Sequence, residues 1–177
     1  MAASGIALVS RISIATRDPI EFVDITEQVA DLVSAGNLRD GVVTVFSRHT
    51  TVAVRVQEDE PLLVQDLQRL LRDLAPPTAH YRHNDFRRRS VHMHEGERPN
   101  GHSHCLQLLL GTSESIPVAQ GVLQLGTWQR IFVVELDGPR AAREVVVQLV
   151  GNTDGESWAG RTSPSNGHVR LAAHLPG

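Results

Sequence analysis

Residues 41–56, GVVTVFSRHTTVAVRV, place two strand-like segments on either side of a short polar motif. The first six residues are apolar or β-branched, which favours a largely buried strand. From Thr51 to Val56, valines alternate with other residues, which is the period of a strand. We therefore predict a strand–loop–strand unit, with His49, Thr50 and Thr51 at the end of its first strand.

The segment before this unit predicts a strand followed by a helix. Apolar residues alternate over residues 6–14, as expected for a strand with one buried face. Asp24 and Glu27 have the spacing of a capping box, so a helix should begin there. Gly36 is expected to take the left-handed conformation that ends it.

The segment after the unit predicts a second helix. Asp59 and Glu60 supply an acidic cap, and Pro61 suits the first turn. Leucines then recur at helical spacing up to the helix-stopping Pro76. These leucines are Leu63, Leu67, Leu70, Leu71 and Leu74.

Residues 78–103 show no periodicity, and a loop of that length is usually functional or disordered. Further strands are predicted over residues 105–110, 116–125, 131–136 and 144–150. The total of about eight strands and two helices, mostly joined by hairpins, favours an α+β single domain of mostly antiparallel sheets. We place this domain at residues 1–150 and a polar, poorly ordered tail at residues 151–177, where residues 169–175 could dock locally.

Composition is that of a globular protein: of 177 residues, 41% are hydrophobic and 21% charged. The net charge of −3 provides no long-range attraction to nucleic acid or to an anionic membrane. Cys105 is the single cysteine, which excludes an intramolecular disulfide and a four-cysteine zinc site. The first residues do not resemble a signal peptide, and no apolar run reaches the roughly 18 residues that span a bilayer. We therefore expect a cytoplasmic protein with no nucleic-acid or membrane partner.

Seven of the nine histidines lie between His49 and His104. Imidazole is the commonest protein ligand of zinc, and a catalytic zinc site needs about three protein ligands. On a strand, His102 and His104 would face the same side, and the loop of His83 could fold over the same edge. We therefore predict that a few of these histidines form a metal or phosphate site.

The alternative is that loop histidines are solvated and have no function. We apply this interpretation to His80, His92 and His94, and we give no function to the tail histidines. The tail histidines are His168 and His174.

Other polar residues allow two interpretations each. Thr50 and Thr51 could bind phosphate or could hold their loop through hydrogen bonds to the main chain. Arg82 and the arginines at 87–89 could clamp a phosphate or diphosphate, or could form a solvated basic loop. Glu58 could be a general base or a first-turn residue of a helix. Trp128 could stack on a flat ligand or simply pack in its turn.

Several short motifs occur in order along the chain. They are His49-Thr50-Thr51, Glu58, Tyr81-Arg82-His83, Asn100-Gly101-His102-Ser103-His104, Leu109-Leu110-Gly111, Ile116-Pro117-Val118, Gly126-Thr127-Trp128-Gln129 and Asp137-Gly138-Pro139-Arg140. In this order they resemble the YjbQ-like family, also known as the secondary thiamine-phosphate synthase enzyme family. The resemblance covers roughly residues 5–151, and the ordered set is far more specific than any one motif.

The resemblance implies a compact α+β homotrimer with histidines clustered near a subunit boundary. It implies a transferase that joins a hydroxymethylpyrimidine diphosphate to a thiazole phosphate and releases diphosphate, so the expected partner is a small phosphorylated substrate. By position, His49, His83 and His104 match the family's three histidines and are expected to bind phosphate or a divalent metal ion, zinc or magnesium. Glu58 matches the family's acidic residue and is expected, with His49, to be catalytic.

The remaining matched positions are expected to bind substrate. They are Arg82, Thr50, Thr51, Trp128 and Gln129.

The chain departs from the family pattern at several points. Gln57 stands where many members have Asn, and His102 where many have Asp. The stretch between His83 and Asn100 is longer and more basic than usual. Two other functions therefore stay open: a metal-dependent phosphate-ester hydrolase, and a non-catalytic trimer that binds a metal or small ligand.

Overall fold

The computed structural model describes residues 5–153, which form two antiparallel sheets and three α-helices. The strands are β1 (Gly5–Thr16), β2 (Glu21–Asp24), β3 (Asp40–Ser47), β4 (Val52–Glu58), β5 (Ser113–Ala119), β6 (Val122–Leu123), β7 (Gln129–Glu135) and β8 (Arg140–Asn152). The helices are α1 (Thr26–Ala35), α2 (Pro61–Leu74) and α3 (Gly101–Leu110), and a 3₁₀ turn spans Arg82–Asn84. The larger sheet has the order β1-β8-β3-β5-β6 and the smaller has the order β2-β7-β4.

The predicted α+β class with mostly antiparallel sheets is confirmed. The main core lies between the two sheets, where alternating valines and isoleucines of β3, β4, β7 and β8 meet one face of α1. A second apolar layer covers the opposite face of the smaller sheet, where Phe132 and Val134 meet Leu71 of α2 and Leu106 of α3. Because β7 is buried on both faces, its residues form a continuous apolar run.

The predicted strand over residues 105–110 is wrong, because these residues belong to α3. Buried residues Ser103 and Leu106 stand three positions apart, at helical spacing, while Leu108 and Leu109 are exposed. The segment has no β-branched residue, and leucine and glutamine favour a helix. On a helix, two residues two positions apart point about 200° from each other. His102 and His104 therefore do not share a face, and the domain has three helices instead of two.

The start of α1 differs from the predicted capping box. The carboxylate of Asp24 accepts hydrogen bonds from the amide and hydroxyl of Thr26, at 2.8 and 2.5 Å. Glu27 does not reach back and instead accepts from Arg130 at 3.1 Å. At the other end Gly36 is right-handed (φ −80°), and Asn37 takes the left-handed conformation (φ 50°).

The predicted cap of α2 is confirmed. The carboxylate of Glu60 accepts hydrogen bonds from the amides of Leu62 and Leu63, at 2.9 and 2.7 Å. The leucine stripe is only partly covered, since Leu71 is buried while Leu70 and Leu74 are exposed.

Within the predicted strand segment 116–125, the β5–β6 hairpin turns at Gln120 and Gly121, and both residues have positive φ. Strand β8 continues to Asn152, so residues 151–152 belong to the domain and not to the predicted tail. The rest of that tail, from residue 154, with the predicted docking segment at 169–175, lies outside the described residues. No helix within residues 5–153 combines the length and apolar character that crossing a membrane requires.

Candidate functional site

The imidazoles of His83 and His104 meet edge to face, with ring centroids 4.6 Å apart and planes at 65°. His104 also hydrogen-bonds to the main chain of Thr50. Burial, and after it the neighbouring His83, hold the pKa of His104 below its ordinary value of 6.5. The Nε2 atom of His83 is buried and has no hydrogen-bond partner among the described residues. His104 is therefore neutral near neutral pH. His83, beside it, offers a buried ring nitrogen to a ligand.

Two contacts between the 3₁₀ turn and α3 bring these rings together. The side-chain oxygen of Asn84 accepts hydrogen bonds from the amides of Asn100 and Gly101, at 3.1 and 2.9 Å, so it caps α3 from a distant part of the chain. A Cβ atom at Gly101 would lie 2.6 Å from the Cβ of Tyr81, which is closer than two carbons can approach. Glycine at 101 therefore permits the turn that carries His83 to pack directly on the helix that carries His104.

His49 does not join this pair. It follows β3, its amide donates to Ser47 Oγ at 3.2 Å, and its Nε2 atom accepts a hydrogen bond from the amide of Glu144 at 3.1 Å. Burial, and after it the nearby Arg143, lower the pKa of His49, so it is a neutral acceptor. Within residues 5–153 of a single chain, no group of three His, Cys, Asp or Glu side chains is arranged to hold a metal ion.

The two threonines after His49 have different environments. Thr50 is exposed and lines the cleft beside the histidine pair. Thr51 is buried, and its hydroxyl accepts a hydrogen bond from Arg143 at 3.1 Å. Thr50 is therefore available to a ligand. The hydroxyl of Thr51 is held by the Arg143 side chain, which is neither of the two predicted roles.

A buried ion pair between the two sheets holds the 48–51 loop through the hydrogen bond from Arg143 to Thr51. Arg143 of β8 donates two hydrogen bonds to the carboxylate of Glu135 of β7, at 2.6 and 2.7 Å. Glu135 is fully buried and also accepts from Thr16 Oγ1 and from the amides of Leu136 and Asp137. Burial alone would raise the pKa of Glu135, but these donors, Arg143 above all, lower it. No local sequence pattern indicates this network, because its members stand alone in apolar or turn segments.

The His83–His104 cleft, as we call the cavity at this pair, has a volume of about 1260 Å³. Its walls come from the 48–51 loop, the 3₁₀ turn, residues 85–98 and the start of α3. Five arginines and five histidines line it, against three carboxylates, although the whole chain has a net charge of −3. The arginines are Arg82, Arg88, Arg89, Arg98 and Arg140. The cleft is therefore a local cationic site on an acidic protein.

Four of these arginines have carboxylate partners. Arg89 pairs with Glu97, and Arg140 pairs with the buried Asp137. Arg98 lies 3.7 Å from the Asp137 carboxylate and donates to the Asp137 carbonyl at 3.1 Å. Arg88 is more loosely placed, 3.9 Å from the Asp85 carboxylate. The guanidinium of Arg82 has no partner among the described residues.

Asp137 also accepts a hydrogen bond from the Asn100 side chain at 3.2 Å. In the sequence, Asp137, Arg140 and Asn100 stood out only as members of matched motifs, yet Asp137 holds two arginines and the residue before α3. A tight Asp-Gly-Pro-Arg turn carries no local signal of that role.

Glu58, Trp128 and Gln129 lie away from the cleft. Glu58 ends β4 and pairs with Gln129 at the start of β7, whereas the 48–51 loop precedes the other end of β4. The seven residues of β4 separate the two groups by about 20 Å. Trp128 is exposed, and its turn is closed by a hydrogen bond from the amide of Gly126 to Gln129 Oε1 at 2.7 Å. In a single chain these three residues do not reach the histidine pair.

His102 faces away from the cleft, toward Tyr81, with ring centroids 6.2 Å apart. Its Nε2 atom lies 3.2 Å from Ser103 Oγ. Among the residues interpreted as solvated, His80, His92 and His94 do line the cleft.

The fold and the cationic cleft define a small antiparallel α+β protein with a candidate anion site. A model of the UPF0047 protein YjbQ-like family matches residues 10–152, and the chain belongs to this family. The resemblance drawn from the motifs is thereby confirmed.

Relatives of the chain include two archaeal UPF0047 proteins. One, from Methanothermobacter thermautotrophicus, is 38% identical over 75% of this chain and 84% of its own length. Another, from Archaeoglobus fulgidus, is 36% identical over 78% of this chain and 98% of its own length. A crystal structure of a YbjQ-like protein of unknown function from Sulfolobus solfataricus has a TM-score of 0.76 and 32% identity, and the match covers 84% of this chain and 99% of that one. These names give the family and the fold, and they state no activity.

Proposed function

We propose that the His83–His104 cleft binds phosphorylated small molecules, and that the protein is a transferase with thiamine-phosphate synthase activity. The observation that carries this proposal is the excess of arginines and imidazoles in a cleft on an otherwise acidic chain. Arginine binds phosphate oxygens through paired N–H groups, and it is favoured wherever phosphate must be held in one orientation. The particular reaction comes from the family resemblance of the motifs.

In this reaction the thiazole nitrogen attacks the methylene carbon of the pyrimidine diphosphate. A C–N bond forms, the C–O bond to diphosphate breaks, and the bonding electrons leave on the diphosphate oxygen. The protein's task is to hold the two substrates in line and to stabilise the charge that develops on the leaving group. Arg82, whose guanidinium has no partner within residues 5–153, and the His83–His104 pair are the groups we assign to that charge.

The predicted divalent metal ion needs three histidine donors at one place. His83 and His104 supply two adjacent imidazoles, but the Nε2 atom of His49 is occupied by the Glu144 amide. Three protein ligands are the usual minimum for a catalytic zinc ion. The donors within residues 5–153 of one chain therefore do not fit the predicted three-histidine centre, and we assign no step to a metal. The hydrolase alternative relied on the same centre, and no specific observation favours it.

Glu58, Trp128 and Gln129 would take part in the same reaction only if a second copy brought them to the cleft. The homotrimer expected from the resemblance would allow this, and it stays part of the proposal. Exposed leucines on α2 and α3, among them Leu74 and Leu108, are compatible with burial against another chain.

The test is formation of thiamine phosphate by the purified protein and three variants. His83→Gln, His104→Gln and Arg82→Gln should each lower kcat/KM by about tenfold or more, since a hydrogen bond to a charged group contributes about 1.5–3 kcal/mol. His49→Gln is the matched control, because the amide oxygen of Gln can still accept the Glu144 hydrogen bond. Undiminished activity in a His83→Gln/His104→Gln double variant would contradict the assignment. A loss in His49→Gln as large as that in His83→Gln would instead support the three-histidine centre.

A further inference from the structure

The 85–98 loop is folded by its own contacts, although the sequence allowed it to be a solvated basic segment. The carbonyl of Asp85 accepts hydrogen bonds from the amides of Arg88 and Arg89, at 3.0 and 2.9 Å. The guanidinium of Arg89 bonds Glu97 and also donates to the His92 carbonyl at 2.8 Å. The Arg89 and Glu97 side chains are only 14% and 12% exposed. The loop is therefore closed by a largely buried ion pair.

This closure determines which side chains the loop presents to the cleft. Arg89 is used internally, so it is not available to bind a ligand. Arg88, His92 and His94 line the cleft, which Arg82 lines from the 3₁₀ turn. Arg88 is 86% exposed and lies 3.9 Å from the Asp85 carboxylate, so its guanidinium is free to turn to a ligand. The cleft thus has two sources of positive charge on different elements.

We propose that the 85–98 loop makes the cleft selective for diphosphate over monophosphate, with Arg88 as the specificity-determining residue. This inference rests on the proposed function. Arg82 and the His83–His104 pair hold one phosphoryl group, and Arg88, with His92 and His94 beside it, holds the second. A monophosphate occupies the first position alone and gains nothing from the loop.

Arg87 provides a matched control for Arg88. It is the adjacent residue in the same loop, its side chain is 96% exposed, and it too lies 3.9 Å from Asp85. It differs in that it does not line the His83–His104 cleft. Substitution of either arginine by Gln removes the same charge from the same loop.

The experiment measures calorimetric affinities of the whole protein for inorganic diphosphate and inorganic phosphate. We expect Arg88→Gln to weaken diphosphate binding by about tenfold, as loss of one charge-assisted contact implies, and to change phosphate binding by less than about twofold. Arg87→Gln should leave both affinities unchanged. Glu97→Gln, which breaks the internal pair, should also lose the preference for diphosphate, and circular dichroism will show whether the fold is retained.

Equal effects of Arg87→Gln and Arg88→Gln would overturn the inference, because they would indicate only general electrostatic attraction. An equal loss of phosphate and diphosphate binding in Arg88→Gln would overturn it as well. Either result would leave the proposed function standing. A wild-type protein that binds neither anion would overturn the proposed function and the inference together.

Discussion

Replacing Arg143 by Met should destabilise the protein severely. The substitution leaves the Glu135 carboxylate fully buried without the guanidinium that donates to both of its oxygens. Removing one partner of a buried ion pair costs about 3–5 kcal/mol. For a domain of this size each kcal/mol lowers the Tm by about 2–4 °C, so we expect a decrease of about 6–20 °C.

The size of this effect should depend on pH. In the wild-type protein the pKa of Glu135 is held below its ordinary value of 4.5, so the ion pair contributes fully above that value and is lost as the pH falls through the lower, folded-state pKa. In Arg143→Met, burial raises the pKa of Glu135, and the carboxyl group becomes neutral at a higher pH. The difference in free energy of unfolding between the two proteins should therefore be smaller at about pH 4 than at about pH 7.

The assay is urea denaturation followed by circular dichroism at both pH values. Arg11→Met is the control, since Arg11 forms only an exposed ion pair with Glu144 at 3.5 Å, and such pairs contribute about 0–1 kcal/mol. Arg143→Met/Glu135→Gln should recover part of the loss, because no unpaired charge stays buried. A loss below about 1 kcal/mol in Arg143→Met, or one that is equal at the two pH values, would refute the reasoning.

Three further predictions concern the helices and the histidine pair. Glu60→Ala should lower the free energy of unfolding by about 1 kcal/mol through loss of the α2 cap, whereas Asp59→Ala should have little effect in the same denaturation assay. Gly101→Ala should force Tyr81 away and lower the free energy of unfolding by about 1–3 kcal/mol. It should also weaken sulfate binding, measured by calorimetry. Undiminished binding would show that the His83–His104 pair does not need this packing. The pKa of His104 lies below its ordinary value of 6.5, so its imidazole gains charge only as the pH falls through that lowered pKa. The affinity for sulfate should rise over this range. The free energy of unfolding without sulfate should fall as the pH decreases, because the unfolded chain binds the proton more readily. His104→Gln should have a flatter affinity profile, and an identical profile would contradict this role.

Much of the fold follows from local patterns in the sequence. The first strand of the 41–56 unit is predicted from its β-branched and apolar residues. The second is predicted because alternation of valines is a direct consequence of the two-residue period of a strand. The start of α2 is predicted because the acidic cap and Pro61 act on neighbouring amides. These interactions depend on residues a few positions apart, which is the range that sequence patterns describe.

The segment that forms α3 shows where such reasoning fails. A six-residue segment with five apolar residues fits a buried strand or a buried helix equally well by periodicity. What decides the outcome is the cap from Asn84, 17 residues away from Gly101, together with the packing of Leu106 on the smaller sheet. Neither contact is visible in the local pattern.

The candidate site was predictable only in part. His83 and His104 were expected to lie together, and the structure brings them together. His49 was expected beside them, but the direction of a side chain after a strand depends on the loop, and here it turns to the Glu144 amide. Glu58 and Trp128 match the same family motifs, but the length of β4 places them at the other end of the sheet.

The crystal structure of the protein soaked with inorganic diphosphate would show directly whether the cleft is an anion site. We expect a phosphate oxygen at hydrogen-bond distance, about 3 Å, from a ring nitrogen of the His83–His104 pair, with Arg82 on the same phosphoryl group. Diphosphate bound only near Trp128, or absent from the cleft at saturating concentration, would contradict that expectation.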